Sequence, residues 1–105
     1  MNATDQQARE GIIRSIQEAV SHLFNLSVDE LTQDSNRRVV VVPRQIAMYL
    51  SKQMTDASLS EIGRHFGGKH QTTVMHSIAR VHELRRSDAG LDRILNTLLA
   101  SLTRR

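Results

Sequence analysis

The chain of 105 residues contains no cysteine and very few aromatic residues. The absence of cysteine excludes a disulfide scaffold and metal sites built on thiolates, and it fits a reducing cytoplasm. Since Phe24, Tyr49 and Phe66 are the only aromatics, any core must be largely aliphatic. A chain of this length predicts a single domain over residues 1–105 with a modest core.

Long hydrophobic runs are also missing. The longest strongly apolar run is Val39–Val42, and the stretch 1–5 is polar. The sequence therefore predicts neither a signal peptide nor a membrane span. We expect a cytoplasmic protein that has no membrane partner.

The charge is unevenly distributed along the chain, although its net value is only +3. Residues 36–86 hold nine Lys or Arg against three Asp or Glu, while the two flanks together hold five Lys or Arg against eight Asp or Glu, a balance of −3. Clustered cations favour a polyanionic partner, because the neutralisation of phosphates sums over neighbouring Lys and Arg. The alternative is a basic face that is simply solvated.

Helix signals recur along the chain. Capping-box spacing at Thr4 and Gln7 precedes an amphipathic helix that Asn25 ends, and Ser27 with Glu30 opens a short helical turn. Residues 33–38 are polar and predict a loop. The run Val39–Val42 favours a strand by propensity but has no partner strand, so we predict an extended connector, with Pro43 at the first position of the next helix.

A helix-turn-helix is predicted over about 58–86. Ser58 and Glu61 form a third capping box, before a short helix over 59–66. Gly67 and Gly68 can adopt positive φ, so they can end this helix and turn the chain into a second helix from about 71 to 85. In this motif the second helix can lie in the major groove of DNA.

The second helix has two faces. Val74, Ile78, Val81 and Leu84 share its apolar side. Opposite them lies a polar ridge formed by Thr72, Thr73, His76 and Arg80. Threonine methyls can contact thymine methyls, while His and Arg can donate to guanine or phosphate acceptors. We expect this ridge to face solvent beside Arg44 and Lys69; the alternative is the ordinary polar face of an amphipathic helix.

The segment "EIGRHFGGKHQTTVMHSIARV" resembles the signature of the bacterial chromosomal replication initiator family, DnaA, in its C-terminal DNA-binding domain (domain IV). "IQEAVSHLFNLSVDELT", "VPRQIAMYLSKQMTDASLSEIG" and "LDRILNTLLASL" are similar to other family segments in the same order, so the likeness covers about residues 9–103. The resemblance implies an all-α, compact domain of about five to six helices with a Trp-repressor-like helix-turn-helix and a closing helix over about 89–103. It also implies binding to double-stranded DNA at short origin sites, the DnaA boxes, in the initiation and regulation of replication.

The resemblance also implies which residues contact DNA. Arg44 and Gln45 match family residues that contact DNA, and Lys52 matches a basic position that faces the DNA backbone. The family's base- and phosphate-contacting positions correspond to Thr72, Thr73 and His76, which the helix faces also select.

Lys69, His70 and Gln71 are further predicted DNA-binding residues, and there this sequence departs from the family pattern. Lys69, His70 and Gln71 stand where the family usually has Arg, Asp and His, and glutamine prefers adenine edges, so the preferred site could differ from the usual box. The family inserts a loop arginine into the minor groove at the position of Asn36. Arg37 or Arg38 could take that role, because a loop arm tolerates a shift of one or two residues.

The sequence contains no G-x-x-x-x-G-K-[ST] loop, so we expect recognition of an origin without ATP hydrolysis or DNA melting. An excised domain and a free-standing relative, such as a helix-turn-helix regulator that occupies boxes without unwinding them, both fit this pattern. We predict no enzymatic activity, no cofactor and a monomer when isolated, associated with the nucleoid. Contacts with replication regulatory proteins could coexist with DNA binding.

Two other classes of function fit the sequence less well. A metal enzyme would use His65, His70, His76 and His82, but their spacings of five, six and six fit no helical ligand pair. A helical interaction module would dock a partner on the C-terminal apolar stripe, which we instead expect to close the domain's own core. The stripe consists of Leu91, Ile94, Leu95, Leu98, Leu99 and Leu102.

Overall fold

The structure, a computed structural model, describes residues 3–104, with side chains from residue 5 onward. The described residues form six helices and no strand, so the predicted all-α class is confirmed. The helices are α1 (Ala3–Leu23), α2 (Val28–Thr32), α3 (Arg38–Met54), α4 (Leu59–His65), α5 (Gln71–Ser87) and α6 (Ala89–Thr103). Within residues 3–104, no helix is long and apolar enough to cross a membrane.

Helix α1 follows the predicted apolar period. Ile13, Ile16 and Val20 are fully buried, at spacings of three and four residues that place them on one side of the helix. The helix ends at Leu23, and Asn25 adopts φ 57°, a left-handed conformation that asparagine tolerates better than most residues. The predicted capping box of Thr4 lies outside the described side chains.

The capping box that opens α2 is present as predicted. The Ser27 hydroxyl accepts the amide of Glu30 at 3.0 Å, and the Glu30 carboxylate accepts the amide of Ser27 at 2.9 Å. These two hydrogen bonds satisfy donors that the start of a helix otherwise leaves free. They let a helix of five residues form at this point, and it buries Leu31 in the core.

Helix α3 begins earlier than the sequence predicts. Val39–Val42 is not an extended connector, and Pro43 is not the first residue of a helix, because α3 starts at Arg38 and contains both. Because Pro43 has no amide hydrogen, the carbonyl of Val39 loses its helical hydrogen bond. Val39 is 58% exposed, so water can reach this residue. Burial of Val40 and packing of Val42 on the core outweigh the small propensity of such residues for strands.

Helices α5 and α6 close the domain over α3. The Arg85 guanidinium donates to the Tyr49 hydroxyl at 2.7 Å, to Asp92 at 2.8 Å and to Asn96 at 3.2 Å. The hydrogen bond to Tyr49, followed by that to Asp92, raises the pKa of Arg85 above its ordinary value. One of the central cations is thus committed to holding three helices together.

The C-terminal apolar stripe packs on the domain's own core. Leu95 and Leu98 are buried, and the remaining members of the stripe are partly buried against the same cluster. That cluster is almost wholly aliphatic, as the scarcity of aromatics predicts. Its fully buried members include Ile46, Met48, Leu50, Ile62, Phe66 and Val81.

Candidate nucleic-acid interface

Helix α4 is the first helix of the helix-turn-helix, and both its ends are held by side chains. The Ser58 hydroxyl accepts the amide of Glu61 at 3.1 Å, as predicted. The other predicted hydrogen bond of that capping box, from the Ser58 amide to the Glu61 carboxylate, is wrong. Both oxygens of that carboxylate instead accept hydrogen bonds from Nε of Arg9 at 3.1 Å. At the other end, Gln17 donates to the carbonyl of His65 at 2.7 Å. Helix α1 therefore fixes α4 through two polar contacts.

The predicted glycine turn connects α4 to α5. Gly67 and Gly68 have φ values of +81° and +76°, a region that favours glycine. A methyl group on Gly67 would overlap the carbonyl oxygen of Thr32, and one on Gly63 would overlap that of Lys69. The chain thus turns so tightly that backbone packs on backbone at two glycines, which sets the direction of α5.

Two predicted DNA-binding residues, His70 and Gln71, also shape the start of α5. The His70 ring accepts the amide of Thr72 on Nδ1 at 3.0 Å, so His70 is the N-cap of the helix. Gln71 is joined to α4 by a hydrogen bond from the Ser60 hydroxyl to its Oε1, at 3.1 Å. Both residues remain exposed, so they lie at the solvent-facing tip of the helix while fixing its local geometry.

The polar ridge of α5 faces solvent, on the side opposite its buried residues. Thr72, Thr73, His76 and Arg80 are all exposed, whereas Val74 and Val81 are buried against the core. Met75, beside the ridge, is 48% exposed, which adds an apolar side chain to the same surface. The ridge offers hydroxyl, imidazole, guanidinium and methyl groups, the functional groups that read base edges and phosphates.

A groove of about 630 Å³ joins the ridge to the start of α3. Its lining includes Arg38, Gln45 and Arg80, three of the predicted DNA contacts from two helices. Asp88 also lines it, but that carboxylate caps α6 by accepting the amide of Leu91 at 3.1 Å. The groove thus brings two arginines and the side-chain amides of Gln45 and Asn36 to one concave surface, which the phosphate backbone of DNA could follow.

Arg44 and Lys69 are not free surface cations beside the ridge. Arg44 is 9% exposed and donates to the carbonyls of Gln33 and Ser35, at 3.2 and 2.8 Å. Its burial lowers its pKa, an effect that the charge of Asp34 opposes. Lys69 places its Nζ 3.4 Å from Asp34. Both cations thus contact the loop that precedes α3.

The other predicted cations lie at the edges of this surface. Asn36, Arg37 and Arg38 are exposed where the loop meets α3. Lys52 is also exposed, but its Nζ donates to the carbonyl of Ala57 at 2.8 Å and so holds the connection between α3 and α4. Arg37 and Arg38 therefore stay available to a partner, while Lys52 has a structural contact as well.

Sequence reasoning missed the contacts that join distant parts of the chain. Arg9 lies 52 residues from its partner Glu61, and nothing in the sequence links them. The contact between Gly63 and the carbonyl of Lys69 has a weak signal in the sequence. A glycine inside a short helix is costly and often marks a close approach of the backbone. Among the side chains described, no group of three His, Cys, Asp or Glu is arranged to hold a metal ion.

Comparison with known proteins gives the same family as the signature segment. Residues 13–81 match the family model described as the bacterial dnaA protein helix-turn-helix. The chain is 42% identical over 94% of its length to a "Chromosomal replication initiator protein DnaA" of Lactobacillus delbrueckii subsp. bulgaricus. It is 48% identical over 75% of its length to the protein of that name from Lactobacillus acidophilus, and 45% over 82% to that from Rhizobium meliloti. The matched region spans 22%, 17% and 18% of those relatives, respectively.

Proposed function

Because the chain belongs to the bacterial DnaA helix-turn-helix family, we propose that it binds duplex DNA in a sequence-specific manner, at DnaA-box-like sites of a replication origin. The observation that carries the proposal is the exposed ridge of Thr72, Thr73, His76 and Arg80 on the second helix of the motif. A helix in this position can enter the major groove with its first residues against base edges.

The arrangement suggests how the two grooves are engaged. With α5 in the major groove, Arg38 lines the same concave surface as Arg80, and the exposed Arg37 precedes it at the end of the loop. If a sugar-phosphate backbone of the DNA runs along this concave surface of the protein, the loop lies next to the adjacent minor groove of the DNA. Inserted arginine is favoured in a minor groove. The positive dipole end of α5, where His70 already accepts a hydrogen bond from the Thr72 amide, adds a favourable position for a phosphate.

The role supported by this arrangement is recognition, not catalysis. Binding at origin sites would support initiation or regulation of chromosomal replication, and the partner is double-stranded DNA in the cytoplasm. Contacts with regulatory proteins and a monomeric state when isolated belong to the same proposal. Selection of bound duplexes from a random pool tests it directly: enrichment of one short motif is expected, and Gln71 predicts that adenine is preferred at one position. A pool that remains random after selection would contradict it.

Binding is expected to weaken steeply with salt. With about four phosphate contacts, a fourfold rise in salt concentration should lower the affinity about 100-fold, because condensed counterions are released on binding.

Replacing Arg80 with alanine should reduce affinity about equally for all duplexes and lower the salt slope by about one. Titrations of wild type and Arg80→Ala at four salt concentrations measure both effects, with Arg104→Ala, an exposed arginine just after α6, as the matched control. An affinity that does not respond to salt would be inconsistent with phosphate contacts.

A further inference from the structure

The loop before α3, residues 33–37, which we call the arm loop, is held largely by groups outside it. Inside the loop, the amide of Ser35 donates to the carbonyl of Gln33 at 3.0 Å, and the amide of Arg37 donates to the Ser35 hydroxyl at 3.2 Å. A five-residue loop with so few internal bonds would sample many conformations if nothing else contacted it. The conformation seen here therefore needs an external support.

The support comes from the guanidinium of Arg44. Its two terminal nitrogens donate to two carbonyls of the arm loop, those of Gln33 and Ser35. The planar fork of arginine suits this task, since it presents several donors in fixed directions from one charged group. The side chain is buried at the base of α3, so it is packed against the loop and does not extend into solvent.

The arm loop is also docked on the turn of the helix-turn-helix. Lys69 pairs with Asp34 across this junction at 3.4 Å, and Gly67 packs on the carbonyl of Thr32, the residue just before the loop. The arm loop therefore contacts both α3 and the turn that aims α5. Its exposed arginine, Arg37, thus has a defined position relative to the reading helix before any DNA is bound.

We propose that Arg44 is a positioning residue, which holds the arm loop in place so that Arg37 and Arg38 can enter the minor groove, and that it does not itself contact DNA. This inference rests on the proposed function of duplex recognition. A preorganised loop binds more tightly than a free one, because the ordering entropy is not lost at the moment of binding. The resemblance implies a direct DNA contact for the same residue, so the two roles make different predictions.

A double-mutant cycle separates the two roles. Arg44→Ala is expected to lower affinity for the selected duplex about tenfold in the wild-type background, but less than about twofold when Arg37→Ala and Arg38→Ala are already present. Arg80→Ala, the control, should cost the same factor in both backgrounds. Equal losses from Arg44→Ala in both backgrounds would overturn the proposal and favour direct contact.

Duplexes with different base pairs test where in the site Arg44→Ala loses discrimination. Arg44→Ala should abolish discrimination between A·T and G·C pairs placed at the minor-groove end of the site, while discrimination at the bases facing α5 is retained. General damage to the fold would reduce both kinds of discrimination, which would overturn the positioning role. Arg44→Lys keeps the charge but cannot donate to both carbonyls in the same way, so it should show most of the loss, whereas full activity of this variant would contradict the proposal.

Trypsin gives a readout that needs no DNA, because it cleaves after Arg37 and Arg38. Cleavage at these bonds in the folded full chain should be about tenfold faster in Arg44→Ala than in wild type, since cleavage reports local opening. An unchanged rate would overturn the support of the arm loop by Arg44. If no variant, nor the wild type, binds duplex DNA in a salt-dependent manner, the proposed function fails, and the trypsin rates still decide separately whether Arg44 holds the loop.

Discussion

Replacing Gly67 with alanine is expected to lower the free energy of unfolding by about 2 to 5 kcal/mol. Two effects add at this residue. Its φ of +81° is costly for any residue with a Cβ, and the new methyl group would overlap the carbonyl oxygen of Thr32. Since small domains are stable by only about 5 to 15 kcal/mol, a large share of the molecules could unfold near physiological temperature. Urea or thermal unfolding followed by circular dichroism measures the loss.

The neighbouring glycine provides a matched control. Gly68 has nearly the same φ, +76°, but a methyl group there would meet nothing within 4 Å. Gly68→Ala should therefore cost only about 1 kcal/mol, the backbone penalty alone. If both substitutions cost the same, the close approach between the turn and Thr32 does not contribute. The comparison thus separates backbone conformation from steric packing at two adjacent residues.

The long helices could be predicted because their signals are local and repeated. The second helix of the motif was expected over about 71–85 and extends over Gln71–Ser87, and both glycines of the turn have the positive φ that was expected of them. An amphipathic period sampled over several turns, with a cap at one end, leaves few alternatives. The exposed ridge followed from the same period, so its orientation needed no tertiary information.

The start of α3 could not be predicted in this way. A run of four valines followed by a proline has weak local preferences that differ by less than about 1 kcal/mol, and the side chains that decide the outcome are far along the chain. Val40 is buried in the assembled domain, which a local pattern cannot reveal. The four valines are therefore helical and belong to α3, which begins at Arg38, whereas the sequence predicts a start at Pro43.

A side chain with two possible partners is the other source of error. Glu61 has capping-box spacing, yet it pairs with Arg9 of α1, because an ion pair with a buried guanidinium is available only in the folded chain. The resemblance assigns Arg44 to DNA, and that contact stays a prediction; the guanidinium also donates to two carbonyls of the arm loop, which the sequence does not reveal. Sequence spacing identifies residues that can make a contact, but the tertiary structure decides between competing partners.

Removing one methyl group from Thr73 is expected to reduce the preference for the specific site by about 1 to 3 kcal/mol. Thr73 is exposed in the first turn of α5, where a threonine methyl can pack on a thymine methyl. Thr73→Ser keeps the hydroxyl and loses the methyl, so binding to the selected duplex should weaken while binding to random duplexes stays the same. Competition titrations of the two duplexes against a labelled site measure the preference.

The converse variant identifies which group of Thr73 reads the base. Thr73→Val keeps a methyl at the same place and loses the hydroxyl, so it should retain most of the preference if apolar contact carries it. Thr97→Ser removes a methyl from an exposed threonine of α6, away from the ridge, and should change the affinity for neither duplex. Because Thr73 is exposed, its substitutions should leave the free energy of unfolding within about 0.5 kcal/mol. An equal loss on random and selected duplexes would assign Thr73 to the phosphates, since a phosphate contact is independent of sequence.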